Sequence, residues 1–218
     1  MKIIALPDLH ENIGRLEKIG AELSQVDLVL LVGDLTNSGK TAEASRVVDA
    51  VRQYNRSILA VTGNWDTPEV EAYLTGHGLN LHRRNVIVDG IAFLGVGGSL
   101  PSPMNAPNEF SEVKFKEFLQ EAAFGLEPSM PKILVAHQPP IETLVDKAWS
   151  DQRLGSRSVR AFIEEAQPVI CFSGHIHEAV GMDTLGRTRL INPGPLSQGG
   201  YAYAEVDPKV ATLEIRRG

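Results

Sequence analysis

Cysteine is nearly absent from this chain, because Cys171 is the only one in 218 residues. One cysteine cannot form an internal disulfide, and its apolar neighbours indicate a buried strand position. Long apolar runs are also missing, since none approaches the ~20 residues that span a bilayer. The sequence starts directly with a strand-like segment, residues 2–6, which leaves no space for a signal peptide. We therefore expect a cytoplasmic protein without a membrane anchor.

An excess of basic residues is lacking as well. Lys and Arg number 21 against 27 Asp and Glu, and the resulting net charge of −6 argues against a nucleic-acid-binding surface. An anionic substrate remains compatible with this charge, because bound divalent cations would reverse the local field. The hydrophobic fraction of 43% is ordinary for a globular protein, and the length predicts one α/β domain over residues 1–218.

Short apolar runs alternate with amphipathic segments through most of the chain. Runs typical of strands cover residues 3–6, 28–32, 58–61, 133–136 and 169–172. Helical spacing and start signals predict helices over residues 13–23, 41–54, from 67 onward, 110–123 and 156–166. We expect Asp66 or Thr67 to cap the third helix. Asp89-Gly90 predicts a tight hairpin between the short strands on either side of it.

The C-terminal part of the chain changes character and predicts antiparallel strands. These cover residues 179–182, 188–191, 201–206 and 210–215, and the turns between them contain Gly or Pro. Together the elements predict an α/β sandwich of two sheets with helices outside. We expect a mixed first sheet and a more antiparallel second sheet.

Six polar motifs each follow a predicted strand. They are Asp8-Leu9-His10, Gly33-Asp34, Gly63-Asn64-Trp65-Asp66, His137-Gln138-Pro139-Pro140, Gly174-His175-Ile176-His177 and Asn192-Pro193-Gly194. Binding crevices in α/β sheets lie at the carboxyl ends of strands. We therefore expect the polar side chains of these motifs to converge at one edge of the sheets.

The histidines carry most of this interpretation. His175 and His177 lie two apart at a strand end, after a glycine, and core packing explains such a pair poorly. His137 closes an apolar strand, where an imidazole needs a polar partner or a metal. Four of the six histidines lie in these motifs. The other two, His77 and His82, lie in a polar connection where we expect solvent exposure.

The remaining motifs are weaker when each is taken alone. Alternation along an extended chain would place Asp8 and His10 on the same side, a spacing that lets both grip one ion. Asp34 after a glycine is also typical of a turn or a helix cap, and so is Asp66 after Asn64. Their joint placement after strands, together with the histidines, predicts a metal site.

Taken together, the motifs resemble those of the calcineurin-like metallophosphoesterase superfamily, from Asp8 to Asn192. The segment 191–195 and Gly155-Ser156 resemble the small bacterial and archaeal phosphoesterases of that superfamily. The resemblance implies a four-layer α/β/β/α sandwich of two mixed sheets. It also implies a ligand set: Asp8, His10 and His177 on a first ion, Asp34 bridging both ions, and Asn64, His137 and His175 on the second, with Asp34, Asn64 and His137 central to catalysis.

A ligand set of imidazole, carboxylate and amide oxygen without thiolate indicates intermediate divalent metals. We expect two ions, first of all Mn²⁺, with Fe, Zn²⁺ or Mg²⁺ as alternatives. Two such ions, ~3.5–4 Å apart, would clamp a phosphate and bridge a water that becomes hydroxide near neutral pH. The predicted function is therefore dinuclear-metal-dependent hydrolysis of a small phosphoester by this hydroxide, with phosphodiesters preferred.

One position departs from the family pattern. Trp65 stands where the family usually has a histidine that protonates the leaving oxygen, and an indole cannot transfer that proton. Loss of a positioned acid typically costs about 10²–10⁴ in rate. We expect substrates with good leaving groups, or a proton supplied by water or by Glu11. Trp65 itself is an equally good candidate for a substrate-facing wall over the site.

Two other functions remain open. The protein could be a phosphomonoesterase acting on a nucleotide or a phosphoprotein. It could also be a catalytically weak metal-binding scaffold, although the complete ligand set disfavours this. The sequence carries no signal for an oligomeric state.

Overall fold

The computed structural model describes residues 1–149, 151–207 and 210–218. The strands of these residues are β1 Lys2–Leu6, β2 Leu28–Val32, β3 Ile58–Val61, β4 Arg84–Val88, β5 Ile91–Val96, β6 Lys132–Ala136, β7 Ile170–Phe172, β8 Gly181–Leu185, β9 Thr188–Asn192, β10 Gly200–Asp207 and β11 Val210–Arg217. The α-helices are α1 Leu16–Leu23, α2 Thr41–Arg52, α3 Pro68–Gly76, α4 Glu112–Ala123 and α5 Arg157–Ala166. Short 3₁₀ turns cover Ile13–Arg15, Leu144–Asp146 and Leu196–Gln198.

The strands form two mixed sheets, as the predicted fold requires. The first sheet has the order β11-β10-β1-β2-β3, and the second has the order β4-β5-β6-β7-β9-β8. Strands β1, β2 and β3 are parallel, and β5, β6, β7 and β9 are parallel in the second sheet. The expectation of a more antiparallel second sheet is wrong. The four C-terminal strands are divided between the sheets, and β9 lies parallel to β7, a partner that no local hairpin signal could indicate.

Alternation along the strands produces the layers. Ile3 and Ala5 of β1 pack between the two sheets, whereas Ile4 and Leu6 pack towards α1 and α2. The outer face of the second sheet packs in the same way against α4 and α5, with Phe115 among the buried residues. Each central strand therefore has the other sheet on one face and helices on the other. Side chains alternate between these two buried faces, which explains the continuous apolar runs. The layer order is α/β/β/α.

Two local expectations have opposite outcomes. The Asp89-Gly90 turn is confirmed, since both residues have positive φ angles and Val88 pairs with Ile91. The expected exposure of His82 is wrong, because its side chain is buried beside the ring of Phe118. Its Nδ1 atom accepts a hydrogen bond of 2.8 Å from the Gly97 amide, and burial lowers the pKa of His82 to about 4.

None of the helices in the described ranges is both long and apolar enough to cross a lipid bilayer. The carboxyl ends of β1, β2 and β3 lie at one edge of the first sheet, where the loops beginning at Pro7, Gly33 and Thr62 start. His137, which follows β6 of the second sheet, lies against this edge through a contact with the Val32 carbonyl. The fold therefore gathers the motifs at one end of the sandwich.

Candidate metal centre

The structure brings the predicted ligands together in two groups. Asp8, His10 and His177 offer ligand atoms that all lie within 4.8 Å of one another. Asp34, His137 and His175 form a second group of the same kind. Asn64 belongs to the second group as well, because its Oδ1 atom lies 3.1 Å from the Nε2 atom of His137.

Asp34 lies between the two groups. Its Oδ2 atom is 3.4 Å from Nε2 of His137 and 3.8 Å from Nε2 of His10. Its other oxygen, Oδ1, accepts a hydrogen bond of 2.8 Å from the backbone amide of Trp65. The amide orients the carboxylate, so one oxygen faces ligands of both groups.

Four of the predicted ligands lie in backbone conformations that non-glycine residues seldom adopt. The φ angles are 51° at Asp8, 47° at His10, 50° at Asp34 and 66° at His175. A left-handed conformation of a non-glycine residue costs about 1–3 kcal/mol and persists only where the surrounding structure enforces it. The clustering of four such residues at one site is typical of a functional constraint, and no pattern in the sequence indicated it.

Glycines allow the ligands to approach so closely. A Cβ atom at Gly63 would collide with the carboxylate of Asp34, and one at Gly33 would collide with the ring of His137. At Gly174 it would lie 2.7 Å from Oδ2 of Asp8. The glycines of the motifs therefore serve the packing of the site itself, in addition to turning the chain.

His137 is oriented by the chain behind it. Its Nδ1 atom lies 2.8 Å from the Val32 carbonyl oxygen, so the N–H at Nδ1 donates to that oxygen and Nε2 faces the site. Three atoms with lone pairs then face one another: Nε2 of His137, Oδ1 of Asn64 and Oδ2 of Asp34. Such an arrangement needs a cation or a proton between the three atoms. This donor set fits a divalent metal.

The pKa shifts of Asp34 and His137 also indicate that a positive charge is favoured at this position. Burial is the largest single influence on the pKa of His137 and would lower it, but the charge and hydrogen bond of Asp34, the charge of Asp8 and the Val32 carbonyl together raise it to about 9. Burial would likewise raise the pKa of Asp34, but the charge and hydrogen bond of His137, the charge of His10 and the Trp65 amide together lower it. The carboxylate of Asp34 and the imidazole of His137 therefore each favour the charged form of the other.

The polar side chains of the first group also favour a bound cation. The Nδ1 atom of His10 is buried and has no hydrogen-bond partner among the described residues. Nε2 of His177 lies 3.4 Å from Oδ1 of Asp8, and this hydrogen bond is the main reason why the pKa of His177 is raised. Both carboxylate oxygens of Asp8 also lie 3.2 Å from the His175 amide, which joins the first group to the second.

Asp66 has a role that the sequence interpretation missed. It does not cap α3, which begins after Thr67 without a side-chain cap. The buried carboxylate instead accepts hydrogen bonds from the amides of Leu35, Thr36 and Gly63, at 3.1, 2.8 and 2.8 Å. It therefore holds the loop of Asp34 against the loop of Asn64. The only sequence signal for this role was the presence of Asp66 two residues after Asn64. An acid in that position, just before a helix, resembles an ordinary helix cap.

Asn192 supports the site and is in neither ligand group. Its side-chain amide donates to the carbonyl oxygens of Gly174 and Ile176, at 3.3 and 2.8 Å. Its Oδ1 atom accepts from the amide of Gly194 at 3.0 Å. The sixth motif thus positions the segment that carries the histidine pair.

The two substrate-facing candidates differ. Trp65 is partly exposed, and its indole belongs to none of the hydrophobic clusters found among the described residues. Glu11 is occupied, because Oε1 accepts from the Asn37 amide at 3.1 Å and Oε2 from Arg46 at 3.0 Å. The structure therefore favours Trp65 as a wall of the site, and it favours a loop-positioning role over an acid role for Glu11.

Comparison with known proteins shows the family of this chain. The family described as the calcineurin-like phosphoesterase superfamily domain matches residues 1–218. An uncharacterised protein of Methanocaldococcus jannaschii is 35% identical over 206 residues, which cover 92% of this chain and 91% of that protein. A protein of Synechococcus sp. described as a probable cyclic nucleotide phosphodiesterase is 26% identical over 157 residues, covering 70% of this chain and 58% of that protein.

A solved structure, that of protein TT1561 of Thermus thermophilus, has a similar fold. The TM-score is 0.72, and the match covers 99% of this chain and 98% of that one. The sequence identity is 19%, so the likeness concerns the fold alone.

Proposed function

The chain belongs to the calcineurin-like phosphoesterase superfamily, and from that premise we propose that it hydrolyses phosphodiesters at a centre of two divalent metal ions. The observation that carries the proposal is the position of Asp34, whose Oδ2 atom faces His10 at 3.8 Å and His137 at 3.4 Å. Asp8, His10 and His177 would hold the first ion and Asn64, His137 and His175 the second, with Asp34 shared between them.

The ions, when bound, would supply the activated water and the positive charge that phosphoryl transfer needs. The chain's own residues supply the geometry. The Val32 carbonyl keeps Nε2 of His137 directed into the site, and the Trp65 amide fixes the orientation of Asp34. Only Asp8 and Asp34 among the seven ligands are acidic, so the loaded centre would remain positive and attract an anionic phosphoester.

We propose Mn²⁺ as the native metal, with Fe, Zn²⁺ or Mg²⁺ as the alternatives. The mixture of imidazole, carboxylate and amide donors supports this, because borderline divalent ions accept such a mixture and Ca²⁺ prefers oxygen ligands alone. The buried and unpaired Cys171 is compatible with a cytoplasmic location, which we also propose.

The proposed substrates are diesters with good leaving groups, because neither of the two candidate positions, Trp65 and Glu11, offers an acid to the centre. Trp65 cannot transfer a proton, and the carboxylate of Glu11 is held by Asn37 and Arg46. A substrate whose leaving group departs as a stable anion needs no such acid. The description of the Synechococcus relative as a probable cyclic nucleotide phosphodiesterase supports the same preference.

Hydrolysis of bis(4-nitrophenyl) phosphate and of 4-nitrophenyl phosphate, with and without Mn²⁺ after EDTA treatment, tests the proposal. We expect Mn²⁺-dependent turnover with the diester preferred. Asp34→Asn and His137→Ala should each reduce turnover by about 10²-fold or more, because each removes a ligand from the centre.

Asp89→Asn and His77→Ala are the matched controls, since both residues are exposed and lie outside the ligand groups. Turnover of the monoester above that of the diester would favour a phosphomonoesterase. Bound metal without turnover of either ester would favour a scaffold and contradict the proposal.

A further inference from the structure

Trp149 has the most exposed large apolar side chain among the described residues. Its relative exposure is 89%, and it lies in the loop that follows the 3₁₀ turn Leu144–Asp146. An indole offers a wide flat surface for stacking, and leaving it in water loses that contact area. Single exposed apolar side chains are common on protein surfaces, so exposure alone indicates no site. What distinguishes Trp149 is its position in a cleft beside the candidate metal centre.

The loop that carries Trp149 is fixed to the metal centre. Ala148 packs against Ile176 and Ala179 in a small buried cluster. Ile176 is the residue between the histidines of the Gly174-His175-Ile176-His177 motif, so the contact ties the loop to that motif. The Trp149 amide also lies 3.4 Å from Oε1 of Glu178, the residue after His177.

The loop is also closed on itself. The Ala148 amide donates to the Gln152 carbonyl oxygen at 2.9 Å, and Lys147 and Asp151 form an ion pair of 2.6 Å. These contacts fix the main chain at Trp149 and leave its indole exposed. Its ring is therefore available to a ligand near the histidine motif.

Trp149 and His177 line the same cleft. The cleft has a volume of about 410 Å³, and its other lining residues are Glu178, Val180 and Gln198. This volume lies in the range of small-molecule binding sites. His177 is a ligand of the first metal group, so a group bound in the cleft lies next to the position of the first ion.

A second cleft of about 440 Å³ shows that volume alone does not indicate a substrate site. Its lining residues include Lys132, at the start of β6, and Arg187. His137 follows the opposite end of the same strand, and none of the metal ligands lines this second cleft. Continuity with the metal centre therefore distinguishes the cleft of Trp149.

We propose that the cleft beside His177 binds the organic group of the substrate, and that this group carries a flat aromatic ring of the nucleobase type stacked on Trp149. Val180 adds an apolar contact, and the Gln198 amide offers both a donor and an acceptor to polar atoms at the ring edge. The proposal rests on the proposed function, since it assumes that a phosphoester occupies the adjacent centre. It names the substrate class as a nucleoside phosphoester.

Equilibrium titration of the Mn²⁺-loaded protein with adenosine 5′-monophosphate and with ribose 5-phosphate tests this assignment. The two probes have the same phosphate and sugar, so the difference in affinity measures the base. The titration is done at low temperature to slow hydrolysis of the probes. Measurement of released phosphate then shows whether they remain intact. We expect the wild-type protein to bind the nucleotide about tenfold more tightly, which lies within the range of base stacking on an aromatic side chain.

Trp149→Ala should remove this difference, and Trp149→Phe should retain most of it. Phe124→Ala is the matched control, because Phe124 is 85% exposed and follows α4, before the start of β6. Equal affinity for both probes in the wild-type protein would overturn the assignment. A preference for the nucleotide that survives in Trp149→Ala would also overturn it.

The result is separate from the test of the proposed function. If the wild-type protein binds the nucleotide through Trp149 but hydrolyses neither nitrophenyl ester, the proposed function fails and the ring-binding cleft stands. If it hydrolyses the diester but shows no difference between the two probes, the cleft assignment fails and the proposed function stands.

Discussion

The Nε2 atom of His137 lies 3.4 Å from the Oδ2 atom of Asp34, although these residues follow strands of different sheets. Asp34 follows β2 of the first sheet, and His137 follows β6 of the second. The pair therefore crosses the interface between the two sheets, and a cation bound there would hold them together. Metal binding and the stability of the sandwich should consequently be linked.

Removal of metal should lower the melting temperature. At a metal concentration about 100-fold above Kd, binding adds about 2.7 kcal/mol to the free energy of unfolding. For a chain of this size we expect an increase of about 5–10 °C when Mn²⁺ is added to EDTA-treated protein, measured by differential scanning calorimetry. The increase should be much smaller in Asp34→Asn and unchanged in Asp89→Asn. An equal increase in all three proteins would show that the ion binds elsewhere.

Gly63→Ala should weaken the metal centre selectively. A methyl group at Gly63 would collide with the Oδ1 atom and the backbone nitrogen of Asp34, so the carboxylate that we propose to bridge the two ions would have to move. We expect Mn²⁺ affinity to fall by about 10–100-fold in a calorimetric titration, the usual effect of disturbing the support of a ligand. Gly76→Ala is the control, because a Cβ atom there would meet nothing within 4 Å. Unchanged affinity in Gly63→Ala would refute the argument.

Trp65→His should restore a proton donor beside the centre. We expect turnover of 4-nitrophenyl phosphate to rise by about tenfold or more, and turnover of phenyl phosphate, which has a poorer leaving group, to rise further. Trp65→Phe serves as the control, since it keeps an aromatic wall without adding an acid. If Trp65→His left the turnover of monoesters and diesters unchanged, the missing acid would not explain the substrate preference.

Asp66→Asn should destabilise both the fold and the site. The amide that replaces one carboxylate oxygen cannot accept the hydrogen bonds of that oxygen, and buried backbone amides would lose their partner. We expect the free energy of unfolding, measured by urea denaturation, to fall by about 1–3 kcal/mol. Diester turnover should fall as well, because the loop of Asp34 loses its support. Asp89→Asn, with an exposed side chain, should change neither quantity.

Much of the fold could be predicted because its signals are local. The strand before His137 is a continuous apolar run, and such a run is typical of a strand buried on both faces. Asp89-Gly90 has the residue types that positive φ angles demand, so the hairpin was predictable from two residues. The pairing of β9 with β7 was not, because the two strands lie side by side in a register that no turn imposes.

The candidate site divides in a similar way. Histidines after a glycine at a strand end are unusual enough to be noticed, and His175 and His177 were recognised from sequence. Asp66 and His82 were misjudged, because a carboxylate before a helix and a histidine in a polar loop are usually exposed. Their burial depends on Thr36 and Phe118, which are distant in sequence and close only after folding.

By itself, the sequence determined the alternation of strands and helices and the family, and it indicated the residues that we propose as metal ligands. Each of these depends on residue type and short spacing, which act locally. Only the tertiary structure decided that Asp66 holds the loop of Asp34 against the loop of Asn64, and that Trp149 shares a cleft with His177. Such relationships join distant parts of the chain, and their physical cause is the packing of two sheets and their loops against one another.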